Sequence, residues 1–303
     1  MKGSDSPPAR LDGWRVNKRD IVQIPRSLDA NWQRAIRAEL DAAEEELPRL
    51  SRSAFELAAI LMSGEYDTVA VGEILERDNE LSQQVLALAN SPLYAAVSTV
   101  ESATVAAQRI GMRVLFELAV IKVARTKIFG PVLNEMLGGR RAWRVACNSG
   151  VIAHRVSSDQ LGTNRASLLG GLILASGPPL GFQLVQRVEA REGRKLPERV
   201  RAELLRRIGP ALCVLLARIW PLSPSILAAA KSMANWPQEV PPSPEVQVPV
   251  FSVLLGRLLT AEGFDNLSIP AGWPVARALK VDRGKVQELS NLVESGSVVL
   301  FAA

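Results

Sequence analysis

The apolar residues of this chain recur mainly at the three- and four-residue steps of an α-helix. In residues 27–50, Trp32, Ile36 and Leu40 lie four positions apart, and the far side of the helix is charged. This spacing puts the three side chains on one helical face, and Pro48 ends the helix because proline has no backbone N–H. The same periodicity predicts helices in residues 53–63, 69–77, 80–91, 103–110 and 112–129.

A second series of predicted helices begins at residue 140. It comprises residues 140–161, 165–177, 178–192, 197–209, 210–220 and 223–236, with glycine or proline at most boundaries. The prolines concentrated in residues 237–249 predict an extended connector. Helices are expected again in residues 251–264 and 284–296. No long segment has the two-residue period of a strand, so the predicted fold class is all-α.

One uncharged run, residues 166–186, is about as long as a membrane span. Gly170, Gly171 and the pair Pro178-Pro179 interrupt it. A proline pair there would break the backbone hydrogen bonds that a hydrocarbon environment requires. We therefore expect no membrane span, and predict one buried helix, a turn and the start of another helix.

Composition narrows the choice of partners and compartment. The chain is 48% hydrophobic and 5% aromatic, and its net charge of +5 permits an acidic partner without requiring one. Cys147 and Cys213 have no CxxC spacing, so a disulfide framework or zinc knuckle is disfavoured. The N-terminus has no apolar run typical of a signal peptide. These features predict a cytoplasmic protein.

The first series of helices contains a recognisable pattern, in which a Leu-Pro pair is followed by a "LANS" block and an S…A…(I/L)G segment. Its residues are Leu47, Pro48, Asp78, Leu81, Val85, Leu88, Asn90, Ser91, Ser102, Ala106, Ile110 and Gly111. The pattern resembles the N-terminal half of HDOD domains, a bacterial regulatory family related to the HD phosphohydrolases. Asn79 departs from it, since the family usually has proline there. The second half matches more loosely, through Trp143, Gly171, Leu172, Ile173, Leu215, Leu216, Trp220, Leu222, Pro224, Ile226 and Ala229.

The resemblance covers residues 46–236 and implies a two-lobed helical domain. It divides the chain into an N-terminal arm with a helix (1–45), an N-terminal lobe (46–135), a degenerate HD-like lobe (136–236) and a Pro-rich connector with a helical C-terminal extension (237–303). In related domains the helix that begins with Gly-Leu-Leu continues as GLLHDIG, whereas this chain has Leu174 and Ala175 at the His and Asp positions. Val145 and Met233 stand at or near two further positions where histidines are expected.

The residue types of the chain also argue against a metal site. An HD-type metal site needs several imidazoles and carboxylates around a divalent ion that activates water. The chain has a single histidine, His154, which we interpret as structural or on the surface. We therefore predict no catalytic residues, no metal ligands and no cofactor. A residual phosphohydrolase is therefore the least favoured of the three functions that we consider. Ser176 does not satisfy the GxSxG pattern of a nucleophile elbow.

Two sets of residues are candidates for other roles. Asn90, Ser91, Pro92 and Gly111 are expected to serve the fold, with Asn90 bonding nearby backbone groups at a helix end. Arg140, Arg141 and Arg144 cluster at the start of the second lobe, whereas the arginines of residues 187–207 alternate with glutamates and predict an ion-paired face. The favoured function is a non-catalytic regulatory module with a protein partner. The alternative is a receptor for a nucleotide second messenger such as cyclic di-GMP, and nucleic acid is disfavoured because aromatic stacking platforms are missing.

Overall fold

The computed structural model describes residues 24–25, 28–64, 67–90, 98–133, 139–161, 168–220, 222–234, 240–261, 270 and 272–294. Within these ranges every regular element is helical, which confirms the predicted all-α fold class. The first α-helices are α1 Ala30–Glu46, α2 Arg52–Ser63, α3 Thr68–Arg77, α4 Asn79–Ala89, α5 Ala103–Ile110 and α6 Met112–Val123. The later ones are α7 Gly139–Leu161, α8 Leu168–Ala175, α9 Gly177–Glu192, α10 Glu198–Ile219, α11 Pro224–Ala234, α12 Pro244–Leu259, α13 Pro274–Ala278 and α14 Arg283–Glu294.

Short polar side chains begin the first helices. At the start of α1, a carboxylate oxygen of Asp29 accepts the backbone N–H groups of Asn31 and Trp32 at 3.0 and 2.9 Å. Such caps satisfy amide donors that have no acceptor within the helix. The side chains that precede α2 to α5 cap those helices in the same way. They are Ser51, Asp67, Asp78 and Ser102.

Helix α6 does not continue unchanged to residue 129. It passes into a π-helix, Ala124–Phe129, and then a short 3-10 helix, Gly130–Val132. Gln183 on α9 donates through Nε2 to the carbonyl oxygens of Lys127 and Ile128, at 3.3 and 2.8 Å. A side chain from a distant helix thus satisfies backbone groups where the hydrogen-bond pattern widens.

Helices α7, α8 and α12 meet at glycines. A Cβ atom added at Gly171 on α8 would lie 2.4 Å from the carbonyl oxygen of Ser149 on α7. One added at Gly256 on α12 would lie 2.4 Å from Ser149 Oγ, and one at Gly170 would lie 2.8 Å from Cγ of Pro249. Because protein interiors are close-packed, these three helices can approach this closely only where the side chain is absent.

The predicted connector over residues 237–249 is wrong from residue 244 onward. Helix α12 begins at Pro244, where the missing N–H removes no helical hydrogen bond, and Pro249 lies inside the helix. The residues from Val246 to Phe251 are all buried. Burial of this segment against α7 and α8 outweighs the bond that Pro249 cannot make.

Proline was also an incomplete guide in residues 197–220. The two helices predicted there form one helix, α10, with Pro210 in its interior. Gly209 packs against the backbone of Gly177 on α9, where an added Cβ would lie 3.2 Å from the Gly177 carbonyl carbon. Apolar residues on both sides of Pro210, from Leu204 to Leu216, enter the core. Tertiary packing therefore keeps the helix continuous.

Two helices outside the domain predicted over residues 46–236, α1 and α12, share the main core. Trp32 and Ile36 of α1 and Val246 and Val250 of α12 belong to the same cluster of buried apolar residues as α2 to α11. A smaller cluster joins α7 and α12 to α13 and α14. The predicted arm and extension thus contribute helices to the packed body of the protein.

The apolar run that contains α8 is an interior element. In the described part of the chain, Leu168–Glu192 is the one helical stretch long and apolar enough to cross a membrane, and 89% of its most apolar window is buried. The chain turns at Ser176 between α8 and α9. This is the helix, turn and second helix that the sequence predicted.

Candidate functional site

The four positions that the family resemblance assigns to metal ligands lie among buried and partly buried residues. Leu174 and Ala175, at the end of α8, are 2% and 4% exposed. Val145 on α7 and Met233 on α11 are partly buried and pack against the same core. Helices α7 and α11 both contact α8. The structure thus places these four positions on helices that pack together, with three aliphatic side chains and one thioether.

The polar groups around the end of α8 are occupied with the backbone. The last carbonyls of a helix have no intrahelical partner. The Cys213 thiol on α10 donates to the carbonyl oxygens of Ile173 and Leu174, at sulfur–oxygen distances of 3.2 and 3.6 Å. Ser176 Oγ donates to the carbonyl oxygen of Leu172 at 2.9 Å. These side chains close the helix end and are not aimed at a shared ligand.

The two cysteine thiols and the single histidine are uncharged near pH 7. Burial raises the pKa of the Cys213 thiol to about 12 and raises the pKa of the Cys147 thiol well above its ordinary range. Burial and the neighbouring Arg155 lower the pKa of His154, so that its imidazole is uncharged near pH 7. Thiols in this state are poor nucleophiles and poor metal ligands. Both cysteines are buried and free.

The described residues contain no group of three or more His, Cys, Asp or Glu side chains that could hold a metal ion. We therefore predict that the purified protein binds no manganese, iron, zinc or magnesium stoichiometrically, because the chemistry requires several such ligands. Elemental analysis by mass spectrometry of protein prepared without chelator measures this. One or more tightly held ions per chain would refute the prediction.

The side chain of Asn90 makes hydrogen bonds within the protein, to the backbone of one other residue. Its Nδ2 donates to the carbonyl oxygen of Val100, and its Oδ1 accepts the N–H of the same residue, both at 2.8 Å. Arg109 on α5 adds hydrogen bonds to the carbonyl oxygens of Ala89 and Ser98, at 3.3 and 3.0 Å. The end of α4 is thereby fixed to the segment before α5. Ser91 and Pro92 lie outside the described residues.

Gly111 joins α5 to α6 in a backbone conformation that favours glycine. Its φ of 83° lies in the left-handed half of conformational space, where a Cβ atom is strained. Its N–H donates to the carbonyl oxygen of Ala107, and its own carbonyl oxygen accepts the N–H of Leu115. The residue therefore belongs at the corner between two helices and serves the fold.

We expect Asn90→Ala to lower the free energy of unfolding by about 1–3 kcal/mol, because two backbone groups of Val100 lose their partner. Urea denaturation followed by circular dichroism measures the loss. Asn79→Ala is the matched control: Asn79 is exposed at the start of α4, and we expect a change within about 0.5 kcal/mol. Unchanged stability of the Asn90 variant, with loss of a regulatory activity, would make Asn90 a recognition residue.

Two further links join residues of the recognised pattern, and the sequence alone did not indicate them. Lys122 on α6 pairs with Asp78 and Glu80, which connects α6 to the start of α4. Burial raises the pKa of Asp78, but the hydrogen bonds from Lys122 and from the Leu81 amide outweigh it, so the net pKa lies below its ordinary value. The indole N–H of Trp220 donates to the carbonyl oxygen of Pro48 at 2.8 Å. Both contacts depend on tertiary proximity, which periodicity does not reveal.

Arg140, Arg141 and Arg144 are exposed in the first turns of α7. Among the described residues, none of the three has an acidic partner within ion-pair distance. The arginines of residues 187–207 differ, since several form ion pairs. Arg187 and Arg191 pair with Glu39 on α1, and the other pairs are Arg194 with Asp29, Arg201 with Glu189 and Arg207 with Glu203. The interleaved charges thus bond one another and also α1.

Fold and site together define an all-α domain whose central helices meet through glycine and aliphatic side chains. A family model described as "HDOD domain" matches residues 47–235, more than half of the sequence. The chain belongs to the HDOD domain family. This confirms the resemblance that the Leu-Pro, "LANS" and S…A…(I/L)G residues indicated.

Solved structures of several bacterial proteins have a similar fold. A protein from Shewanella amazonensis SB2B, provisionally described as a metal-dependent phosphohydrolase, is 16% identical, with 88% of this chain and 99% of that chain covered and a TM-score of 0.65. An HDOD domain protein of unknown function from Geobacter sulfurreducens is 19% identical over 88% and 96%, with a TM-score of 0.59. A protein from Marinobacter aquaeolei VT8, provisionally described as acting in signal transduction, is 21% identical over 95% and 68%, with a TM-score of 0.56. The search of curated proteins found no significant match.

Proposed function

We propose that this protein is a non-catalytic regulatory module of the cytoplasm that acts by binding another protein. Membership of the HDOD family supports a regulatory role. The observation that supports the non-catalytic part is the chemistry of the substituted positions. Leu174 and Ala175 are buried, Val145 is aliphatic, and Met233 offers a neutral thioether. Side chains of this kind do not hold the hard divalent ions that activate water, and none of them can move a proton.

Affinity capture from lysate of the source cell tests the partner, with the full chain as bait and with or without added cyclic dinucleotides. We expect a protein that is retained in both conditions and that forms a stoichiometric complex when both components are purified and mixed. An unrelated helical protein of equal net charge is the control bait. Failure to reconstitute any complex from purified components would contradict a protein-binding role.

A receptor for an anionic nucleotide is the second candidate function. The supporting observation is the position of Arg140, Arg141 and Arg144 at the N-terminal end of α7, without an acidic partner among the described residues. The positive end of the helix dipole disfavours cations there and favours a bound anion. Arginine suits phosphate because its guanidinium forms paired, charge-assisted hydrogen bonds.

For a receptor, the double substitution Arg141→Lys and Arg144→Lys should weaken nucleotide binding at least tenfold, about 1.4 kcal/mol, since lysine does not reproduce the bidentate geometry. Calorimetric titration with mononucleotides and cyclic dinucleotides at near-physiological salt measures this. The matched control replaces Arg199 and Arg206, two exposed arginines of α10, with lysine. If the wild-type chain gives no saturable heat at high micromolar ligand, the receptor function is rejected.

A further inference from the structure

Helix α1 is attached to the rest of the protein by a buried carboxylate. The side chain of Glu39 is fully buried, and it pairs with Arg187 and Arg191, which lie one turn apart on α9. The distance between Arg191 Nη1 and Glu39 Oε2 is 2.6 Å. A buried ion pair gives little net stability over a well-packed apolar contact, because desolvation offsets the attraction. Its main effect here is to select which helix can lie on α9.

The contact of α1 also includes an ion pair and a cation–π interaction near the N-terminal end of the helix. Beyond the end of α9, Arg194 donates to both carboxylate oxygens of Asp29, at 3.2 and 3.4 Å. The guanidinium carbon of Arg194 also lies 4.6 Å from the centroid of the Trp32 ring, within the range of a cation–π interaction. Arginine and tryptophan are the residues that most often dominate protein–protein interfaces. The α1 contact therefore has the composition of an interface.

An apolar face of α1 also contributes to the contact. Trp32, Ile36, Leu40 and Ala43 are buried on the face that meets α9 and α10. α1 precedes residue 47, where the family match begins. Its far end is held near Pro48, whose carbonyl oxygen accepts the indole N–H of Trp220. Helix α1 is thus an amphipathic helix, tethered at its C-terminal end, on a surface of the HDOD domain.

We propose that α1 occupies in cis a helix-docking surface on α9 and α10, and that an acidic amphipathic helix of the regulatory partner displaces it. Charge complementarity specifies this occupant: its carboxylate must lie between Arg187 and Arg191, on an apolar face spaced like that of α1. The side chains of the two arginines are 34% and 64% exposed, so an incoming carboxylate reaches the ion pair from solvent. The proposal rests on the protein-binding function proposed above.

A tethered helix competes at a high effective concentration, so the surface stays closed until a partner helix binds strongly enough. The probe is a fluorescent peptide of residues 28–47, titrated into the full-length chain and followed by anisotropy. We expect the chain with Glu39→Gln to bind this peptide at least tenfold more tightly than the wild-type chain. Glu203→Gln, which removes a glutamate paired with Arg207 on α10, is the matched chain control and should behave as wild type.

The peptide has its own control. A peptide with Glu39→Gln should bind the Glu39→Gln chain at least tenfold more weakly than the native peptide, because it offers no carboxylate to the arginines. Equal binding of the two peptides, or no saturable binding to either chain, overturns the proposal. Failure of the peptide experiment with successful partner capture would leave the proposed function standing and reject only this surface.

Hydrogen–deuterium exchange of the wild-type chain gives a second measurement that does not depend on a substitution. A displaceable α1 opens locally, so its amides should exchange at least tenfold faster than those of the central helix α8. In the Glu39→Gln chain the exchange of α1 should accelerate further, and that of α8 should not change. If α1 and α8 exchange at one common rate in the wild type, α1 opens only with the whole fold and the proposal is wrong.

Discussion

We expect the double substitution Leu174→His and Ala175→Asp to lower the free energy of unfolding by about 3–5 kcal/mol and to produce no phosphohydrolase activity. Both positions are buried at the end of α8, so the new groups lose their hydration. The aspartate also lies at the negative end of the helix dipole. Val145 stays aliphatic and Met233 offers only a neutral thioether, which leaves the pair without the imidazoles and carboxylates of such a metal site.

Urea denaturation and a thermal scan measure the stability of this variant, and hydrolysis of an activated phosphodiester with added manganese measures activity. Leu174→Met is the matched control, because it conserves volume and should change stability by less than about 1.5 kcal/mol. An unchanged melting temperature of the double variant would show that the end of α8 is roomy or exposed. Metal-dependent turnover would show that the site is one substitution step from catalysis.

Gly171→Ala should have a comparable effect on stability, about 3 kcal/mol or more, although it adds one methyl group. The new Cβ would lie 2.4 Å from the carbonyl oxygen of Ser149 and 2.5 Å from its carbonyl carbon. These are backbone atoms, so no side-chain rotation can relieve the overlap, and α7 and α8 must separate. Separation of the two helices would also loosen the contact of Gly256 with Ser149.

Chemical denaturation compares this variant with Gly72→Ala on α3. At Gly72 the nearest atom to an added Cβ is Thr104 Oγ1 at 3.4 Å, an ordinary contact. Alanine favours a helix over glycine by about 1 kcal/mol, so the control should be neutral or slightly more stable. If both variants behave alike, the close approach of α7 and α8 is not a constraint on the fold.

Local patterns predicted most of this fold, and long-range contacts account for what they missed. The four-residue steps of α1 and the caps of α2 to α5 depend on neighbours in sequence. Pro244 and Pro249 were misread because proline is a local signal. The first suits a helix start, and the ring of the second lies where Gly170 has no side chain. A partner more than 70 residues away decided the conformation.

At the candidate site, too, the predictions rest on local sequence, and the features that they missed depend on long-range contacts. The prediction that no metal ligands are present rests on residue identity alone, since no arrangement of Leu174 and Ala175 coordinates a metal. The sequence led us to expect Asn90 to bond nearby backbone groups, but it did not indicate Val100, which is 10 residues further along the chain, as the partner. The burial of Glu39 was missed, although a signal was present: Glu39 is seven residues after Trp32 and three after Ile36, on the apolar face. A charge at such a position indicates a partner from another helix.

The hydrogen bond from Trp220 to Pro48 has a consequence for biosynthesis. It joins residues 172 positions apart, at nearly the two ends of the family-matched region. Contacts of such separation require a large loop to close, which slows folding. During translation, the first helices emerge long before Trp220 leaves the ribosome. Until the later helices are made, the apolar side chains that those helices cover in the folded protein stay exposed to solvent. A chain released before this tryptophan exposes that surface, so we expect premature termination products to be recognised by chaperones and degraded.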